Sequence, residues 1–194
     1  MQPGAPSPNW AKFYQHTQEL PKPERLSPFL QHMPQGATVL DFGCGSGRFT
    51  LAMHRDRPDL HLHVLDKFLP DAPMLENAPF IEKKLHMPFA QFHADTEYDG
   101  IFAWAALFFE EPHAQQDLFT RLHAALKPGG LLYFTFTEHA GPDLPFFPRR
   151  EDELRKLLEH AHLTVENWQR REDTPYTKHN HLIPTYYVHA RKKI

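Results

Sequence analysis

The sequence predicts a doubly wound α/β domain built on a parallel sheet. Three observations carry the prediction. From residue 37 onward, short apolar runs alternate with longer mixed segments of helical character. One of these runs, ATVLDF at 37–42, passes directly into the glycine cluster GCGSG at 43–47 and then into a helical segment. A second run, YDGIFAWAAL at 98–107, is almost wholly apolar and aromatic, as a strand buried on both faces must be. Strand and helix in alternation argue for parallel strands joined by right-handed crossovers. Ligands of such a domain sit beyond the carboxyl ends of the strands, near the point where the strand order reverses.

The elements follow in order. Residues 9–33 read as helical in two pieces, broken near Pro21 and Pro23. ATVLDF is the first strand, and Arg48 to about Arg55 a short helix ended by Pro58. HLHVLD at 61–66 is the second strand. Phe68 to Pro88 is proline-interrupted and only partly helical, and AQFHAD at 90–95 is a weak strand. After the strong strand at 98–107, Pro112 occupies the first turn of a helix running to Leu126. KPGG at 127–130 stops it, and LLYFTFT at 131–137 is the next strand. Arg150 to His162 is an amphipathic helix with Leu154, Leu157, Leu158 and Ala161 on one face. Strands at Val165 to about Arg170 and Pro184 to Arg191 end the pattern. Residues 1–36 form an N-terminal helical segment, and 37–194 the compact domain.

Composition narrows the function. The chain has 194 residues, 41% of them hydrophobic, which suits one domain with a real core. A net charge of -3 demands neither a nucleic-acid nor a membrane partner. The one cysteine, Cys44, excludes an intrachain disulfide framework and a cysteine-rich zinc site, and suits a reducing cytoplasm. No apolar run is long enough to span a bilayer, and the first residues lack a secretory pattern. Fifteen histidines raise the question of a metal. His61 and His63 share a strand face and His179 and His181 share a spacing, but no metal motif accompanies them. The reading assigns no metal.

The glycine loop narrows it further. Gly43, Gly45 and Gly47 permit positive φ and close approach of a ligand to the main chain. The following helix start offers N–H groups and partial positive charge to an anion. A dinucleotide fingerprint needs its third glycine at 48, where this chain has Arg48, and no Gly-Lys-Ser/Thr of a phosphate loop follows. Asp66 closes the second strand, where an acid accepts hydrogen bonds from both ribose hydroxyls. Asp95 ends the weak strand and is placed to meet an adenine amino group. Each acid has a plainer role open to it, as a helix cap or turn residue.

Together these residues resemble the class I S-adenosylmethionine-dependent methyltransferases. VLDFGCGSGRFT (39–50) is similar to that family's first motif and VLDKF (64–68) to its second. HADTEYDGIFAWAAL (93–107) and LKPGGLLYFTF (126–136) resemble the stretches around its fourth and fifth strands. Among the members, the short bacterial enzymes of the tellurite-resistance and ubiquinone-biosynthesis type are the most similar. The resemblance implies a Rossmann-like, doubly wound, mostly parallel seven-stranded sheet with its last strand antiparallel and helices on both faces. It implies S-adenosylmethionine as methyl donor and S-adenosylhomocysteine as product. Asp41 would orient the methionine amino group. Gly43, Cys44, Gly45 and Gly47 would line the methionyl and ribose portions. Asp66 would hold the ribose diol, flanked by Lys67 and Phe68, and Asp95 would meet the adenine. Trp104 and Ala105 would face the methyl-donating end. Many relatives carry a histidine pair where this chain has Leu107-Phe108-Phe109, so no histidine chemistry carries over.

The acceptor side is read from two segments. The N-terminal stretch NWAKFYQH (9–16) would cap the site, with Tyr14 its polar candidate beside Trp10 and Phe13. The stretch EHAGPDLPFFPRR (138–150) would act as a lid, with His139 and Arg149 as candidates and its arginines suited to an anionic substrate. The expected activity is in-line methyl transfer to a small-molecule acceptor by a cytoplasmic monomer or homodimer, with no nucleic-acid or membrane partner. The rivals are an RNA or protein methyltransferase, a non-catalytic S-adenosylmethionine-binding module, and a nicotinamide oxidoreductase, the last disfavoured by Arg48.

Overall fold

A computed structural model describes residues 19–138, 147–175 and 182–194. The expectations that fall on Trp10, Phe13, Tyr14, His139, His179 and His181 lie outside the described residues. Seven strands form one sheet: β1 (Thr38–Phe42), β2 (His61–Leu65), β3 (Ile81–Leu85), β4 (Tyr98–Ala103), β5 (Leu126–Thr137), β6 (Leu163–Pro175) and β7 (Leu182–Lys192). Their spatial order is β3-β2-β1-β4-β5-β7-β6. β1 pairs in parallel with both β2 and β4, so the strand order reverses at β1. β7 alone runs antiparallel, between β5 and β6.

Four described helices flank the sheet: α1 (Ser27–Leu30), α2 (Arg48–Asp56), α3 (Pro112–Ala125) and α4 (Glu151–His160). Strand alternation sorts the core into two layers. Leu40, Ile101, Leu132 and Phe134 meet Leu118, Leu122, Leu154 and Leu158 of α3 and α4. Val39, Phe102, Leu131 and Tyr133 meet Phe29 of α1 and Phe49, Ala52 and Met53 of α2. A single-residue slip in β4 would exchange Ile101 for Phe102 and break both layers.

Two elements differ from the sequence reading. The third strand is IEKKL at 81–85, while AQFHAD forms only a 3-10 turn at Phe89–Gln91 and irregular chain. β3 is an edge strand whose Glu82 and Lys84 are exposed, so it lacks the apolar run that marks a buried strand. The segment between β2 and β3 holds two 3-10 turns, Leu69–Asp71 and Pro73–Leu75, in place of a crossover helix. Its three prolines, at 70, 73 and 79, explain that outcome.

Candidate active site

The carboxyl end of β1 turns into α2 through the glycine loop. Gly43, Gly45 and Gly47 have φ of 76°, 55° and 88°. At two of them space as well as φ demands glycine. A Cβ on Gly43 would lie 2.6 Å from the Ala106 side chain, and one on Gly47 2.3 Å from Leu75. The loop is tied to β2 rather than left open. The Gly43 and Cys44 N–H groups donate to the Leu65 carbonyl at 2.7 and 3.1 Å. The Gly45 N–H donates to Asp66 Oδ2 at 3.0 Å, and the Phe68 N–H to Oδ1 at 2.8 Å. The loop therefore offers a ligand close approach more than it offers donors.

Asp41 and Asp66 come together at this end, and both are buried. Thr50 of α2 donates its hydroxyl to Asp41 Oδ2 at 2.6 Å, and its main-chain N–H also supports the carboxylate. Burial pushes the Asp41 pKa up to about 7 against that help, and the negative charge of Asp66 adds to the rise. Burial also pushes the Cys44 thiol up, with Asp41 and Asp66 reinforcing it. Cys44 is a protonated packing residue and not a nucleophile.

Lys67 and Phe68 follow Asp66 directly, and the Lys67 ammonium lies 5.0 Å from the Phe68 ring centre. The Lys67 carbonyl accepts from His86 Nε2 at 3.0 Å, and the Asp66 N–H donates to the Leu85 carbonyl at 3.2 Å. The residues that β3 brings to the site are thus Leu85 and His86, which the sequence reading missed because it placed the strand later. Asp95 does not join them. It precedes the amino end of β4, is exposed, and pairs with Lys83 of β3. With β3 at 81–85, Asp95 leads into β4 and does not end a strand, as the sequence had suggested.

Ala105 and Trp104 close β4 beside the glycine loop. Ala105 holds a left-handed φ of 53°, unusual for a residue with a Cβ, and its N–H donates to the buried Thr135 hydroxyl of β5 at 2.8 Å. The Trp104 ring packs against Phe49 of α2 and Tyr187 of β7, at centroid distances of 4.9 and 5.5 Å. Leu107 and Phe108 are core residues of a 3-10 turn, which accounts for apolar residues at these positions. Glu110, half-buried, was also missed; burial raises its pKa while the Lys67 charge lowers it.

Arg149, expected as a catalytic candidate, is held by side-chain and main-chain acceptors. Its Nε donates to Gln115 Oε1 at 2.8 Å and its Nη2 to the Pro112 carbonyl at 2.9 Å. Gln115 is fully buried and in turn donates to the Glu110 and Phe147 carbonyls. Arg149 therefore fastens the chain before α4 to the start of α3. His61 and His63 also have partners, Glu82 Oε1 at 2.5 Å and the Tyr98 hydroxyl at 3.2 Å.

These features fit a sulfonium amino acid joined to a nucleoside. A carboxylate has about four acceptor directions, so one held as Asp66 is accepts a vicinal diol beside main-chain N–H groups. A buried carboxylate whose charge is disfavoured, as at Asp41, is relieved by a nearby ammonium. The positive-φ loop lets the ligand lie against the main chain.

Comparison with known proteins agrees. The family model described as a methyltransferase domain matches residues 14–185. No curated protein matches the chain. Among solved structures, Burkholderia thailandensis 1,6-didemethyltoxoflavin-N1-methyltransferase, bound to 1,6-didemethyltoxoflavin and S-adenosylhomocysteine, is similar at TM-score 0.66 and 22% identity, over 96% of this chain and 79% of that one. N-methyltransferase NodS from Bradyrhizobium japonicum WM9, in complex with S-adenosylhomocysteine, is similar at TM-score 0.66 and 18% identity, over 95% and 98%. A TehB-like methyltransferase from Corynebacterium glutamicum gives TM-score 0.68 and 19% identity, over 95% and 94%. With the reversal of strand order at β1, the glycine turn and the two buried acids already in place, the chain belongs to the family of S-adenosylmethionine-dependent class I methyltransferases.

Proposed function

We propose that this chain methylates a small-molecule acceptor in the cytoplasm, with Asp66 and Asp41 holding the methyl donor. One observation carries the reading: two buried carboxylates meet at the carboxyl ends of β1 and β2, oriented by hydroxyl and main-chain N–H groups. When bound, S-adenosylmethionine supplies an electrophilic methyl carbon on a sulfonium leaving group. Asp66 accepts the ribose hydroxyls. Asp41, steered by Thr50, meets the methionine amino group directly or through water. Gly43, Cys44, Gly45 and Gly47 provide the surface against which the donor lies. The turn at Ala105 brings the end of β4 toward the same place.

Such a site aligns the nucleophile, the methyl carbon and the sulfur. Alignment supplies roughly 7–11 kcal/mol in well-organised cases. A proton-accepting group is required only where the acceptor carries a proton at working pH. The segment 1–36 is the proposed cap. Its described part supports this, since Phe29 packs on Phe102 and Arg25 stacks on Trp104. The small-molecule reading is supported by the acceptor named for the Burkholderia neighbour and by the modest charge of the chain. Among the described residues no helix is long and apolar enough to cross a membrane.

Calorimetry with S-adenosylmethionine and NAD, followed by transfer of a labelled methyl group to thiols, amines and phenols, tests the proposal. Micromolar S-adenosylmethionine binding without NAD binding is expected. Tight binding with no transfer to any acceptor would favour a non-catalytic module, and NAD binding alone would overturn the reading.

A further inference from the structure

Most arginines of this chain have acidic partners. Arg55, Arg57, Arg121, Arg150, Arg155, Arg170 and Arg191 each pair with a carboxylate, and Arg149 with Gln115. Arg25 and Arg171 have no carboxylate partner among the described residues; each instead stacks on an aromatic ring. The Arg25 guanidinium lies 5.6 Å from the Trp104 ring centre and that of Arg171 4.9 Å from Tyr187. The guanidinium of Arg48, the first residue of α2, lies 5.2 Å from the Phe49 ring centre. The three rings form one continuous row, Phe49 to Trp104 at 4.9 Å and Trp104 to Tyr187 at 5.5 Å. All three rings are buried, so the guanidinium groups are the outer layer of the row. The row starts where the glycine loop enters α2, crosses the end of β4, and extends onto β7.

A guanidinium stacked on a ring can still offer N–H groups to a planar anion, and among the described residues Arg171 uses only an Nη2 donor, on Gln169 Oε1 at 2.6 Å. Positive charges without acids beside them raise the local concentration of anionic ligands. We infer that Arg25 and Arg171, backed by Trp104 and Tyr187, form a subsite that selects a carboxylate-bearing acceptor over its neutral counterpart. The inference rests on the methyl-transfer reading above. A carboxylate is also present on the methionyl end of the methyl donor. The acceptor is the source favoured here, because the row continues through Tyr187 to Arg171, away from the glycine loop.

The test is calorimetry on the full chain with 4-hydroxybenzoate and 4-hydroxybenzamide, which share a shape and differ in charge. Each probe is titrated with and without saturating S-adenosylhomocysteine. The acid is expected to bind about tenfold more tightly than the amide, a difference reduced by salt. Arg25→Gln and Arg171→Gln should each erase most of that preference, and Arg25→Lys should restore part of it. S-adenosylhomocysteine affinity should stay within about twofold in all three, as expected of groups that do not touch the donor. Equal binding of acid and amide, or binding of neither at millimolar concentration, overturns the subsite. So does a loss of S-adenosylhomocysteine affinity in the variants with the acid preference intact, which would assign the arginines to the methionyl carboxylate. Failure of the wild type to bind S-adenosylhomocysteine overturns the methyltransferase reading separately, while the probe titrations still judge the subsite.

Discussion

The two ends of the parallel strands treat acidic residues in opposite ways. At the amino ends, acids meet cations. Asp99 accepts from the Thr38 N–H at 2.8 Å and from Lys127 at 2.7 Å. Asp59 accepts from the Gly36 N–H and from Arg57 Nε and Nη2, and Asp95 pairs with Lys83. At the carboxyl ends, Asp41 and Asp66 are anchored by Thr50 and by main-chain N–H groups, and Asp41 lies close enough to Asp66 for the charges to oppose each other. The amino end is arranged for the stability of the chain alone. The carboxyl end holds negative charge at a cost to the free protein, which the amino group and sulfonium of the methyl donor offset in the proposed binding mode.

The contrast can be broken most directly at its two extremes. Asp66→Ala should weaken S-adenosylhomocysteine binding by about a hundredfold or more, since it removes an ionised partner of two hydroxyls. Asp95→Ala should leave that affinity within about twofold, as an exposed pair far from the ligand does. Equal losses in a calorimetric titration would erase the distinction between the two ends.

A second, smaller effect concerns pH. The Asp41 pKa is raised to about 7 in the folded chain, above its ordinary 3.8. The stability this carboxyl contributes is therefore fully present below pH 3.8 and is lost as pH rises toward 7. Ligand binding should show the reverse trend, weakening by up to about tenfold per pH unit below the raised pKa, because the ammonium favours the ionised acid. Asp41→Asn should flatten both profiles in melting and binding measurements from pH 5 to 8. An unchanged profile would remove Asp41 from the ligand's surroundings.

Next comes the loop itself. Gly47→Ala combines a left-handed φ with a clash against Leu75. It should cost about 2–4 kcal/mol in denaturant unfolding and weaken the ligand as well. The least effect on the ligand belongs to the amino end. Asp99→Ala should cost about 1–2 kcal/mol through the lost Thr38 and Lys127 bonds, with S-adenosylhomocysteine affinity unchanged. Loss of ligand affinity there would show that the two ends are coupled.

The legibility of this chain follows the range of its interactions. The strand, turn and helix from Thr38 to Asp56 form a local unit, and the Thr50–Asp41 bond spans only nine residues. Its spacing excluded a dinucleotide fingerprint before any contact was known. β4 and β5, buried on both faces, announce themselves as apolar runs. β3 does not, because an edge strand with exposed Glu82 and Lys84 carries little apolar signal. That one displacement placed a strand before Asp95 where the chain is irregular. Thr50 was missed for a different reason: its role depends on a hydroxyl pointing back from α2, which no motif spacing states.

Sequence alone determined the doubly wound fold, the glycine turn, the acid that follows β2 and the methyl donor. Each rests on near neighbours in the chain or on a periodicity that burial imposes. Tertiary structure alone decided what the arginines do. Arg149 reaches Gln115 across 34 positions and becomes a fastener, while Arg25 and Arg171 meet rings from β4 and β7. The physical reason is that a guanidinium on a long side chain takes its role from whatever partner the fold brings within reach, and that partner is not encoded beside it.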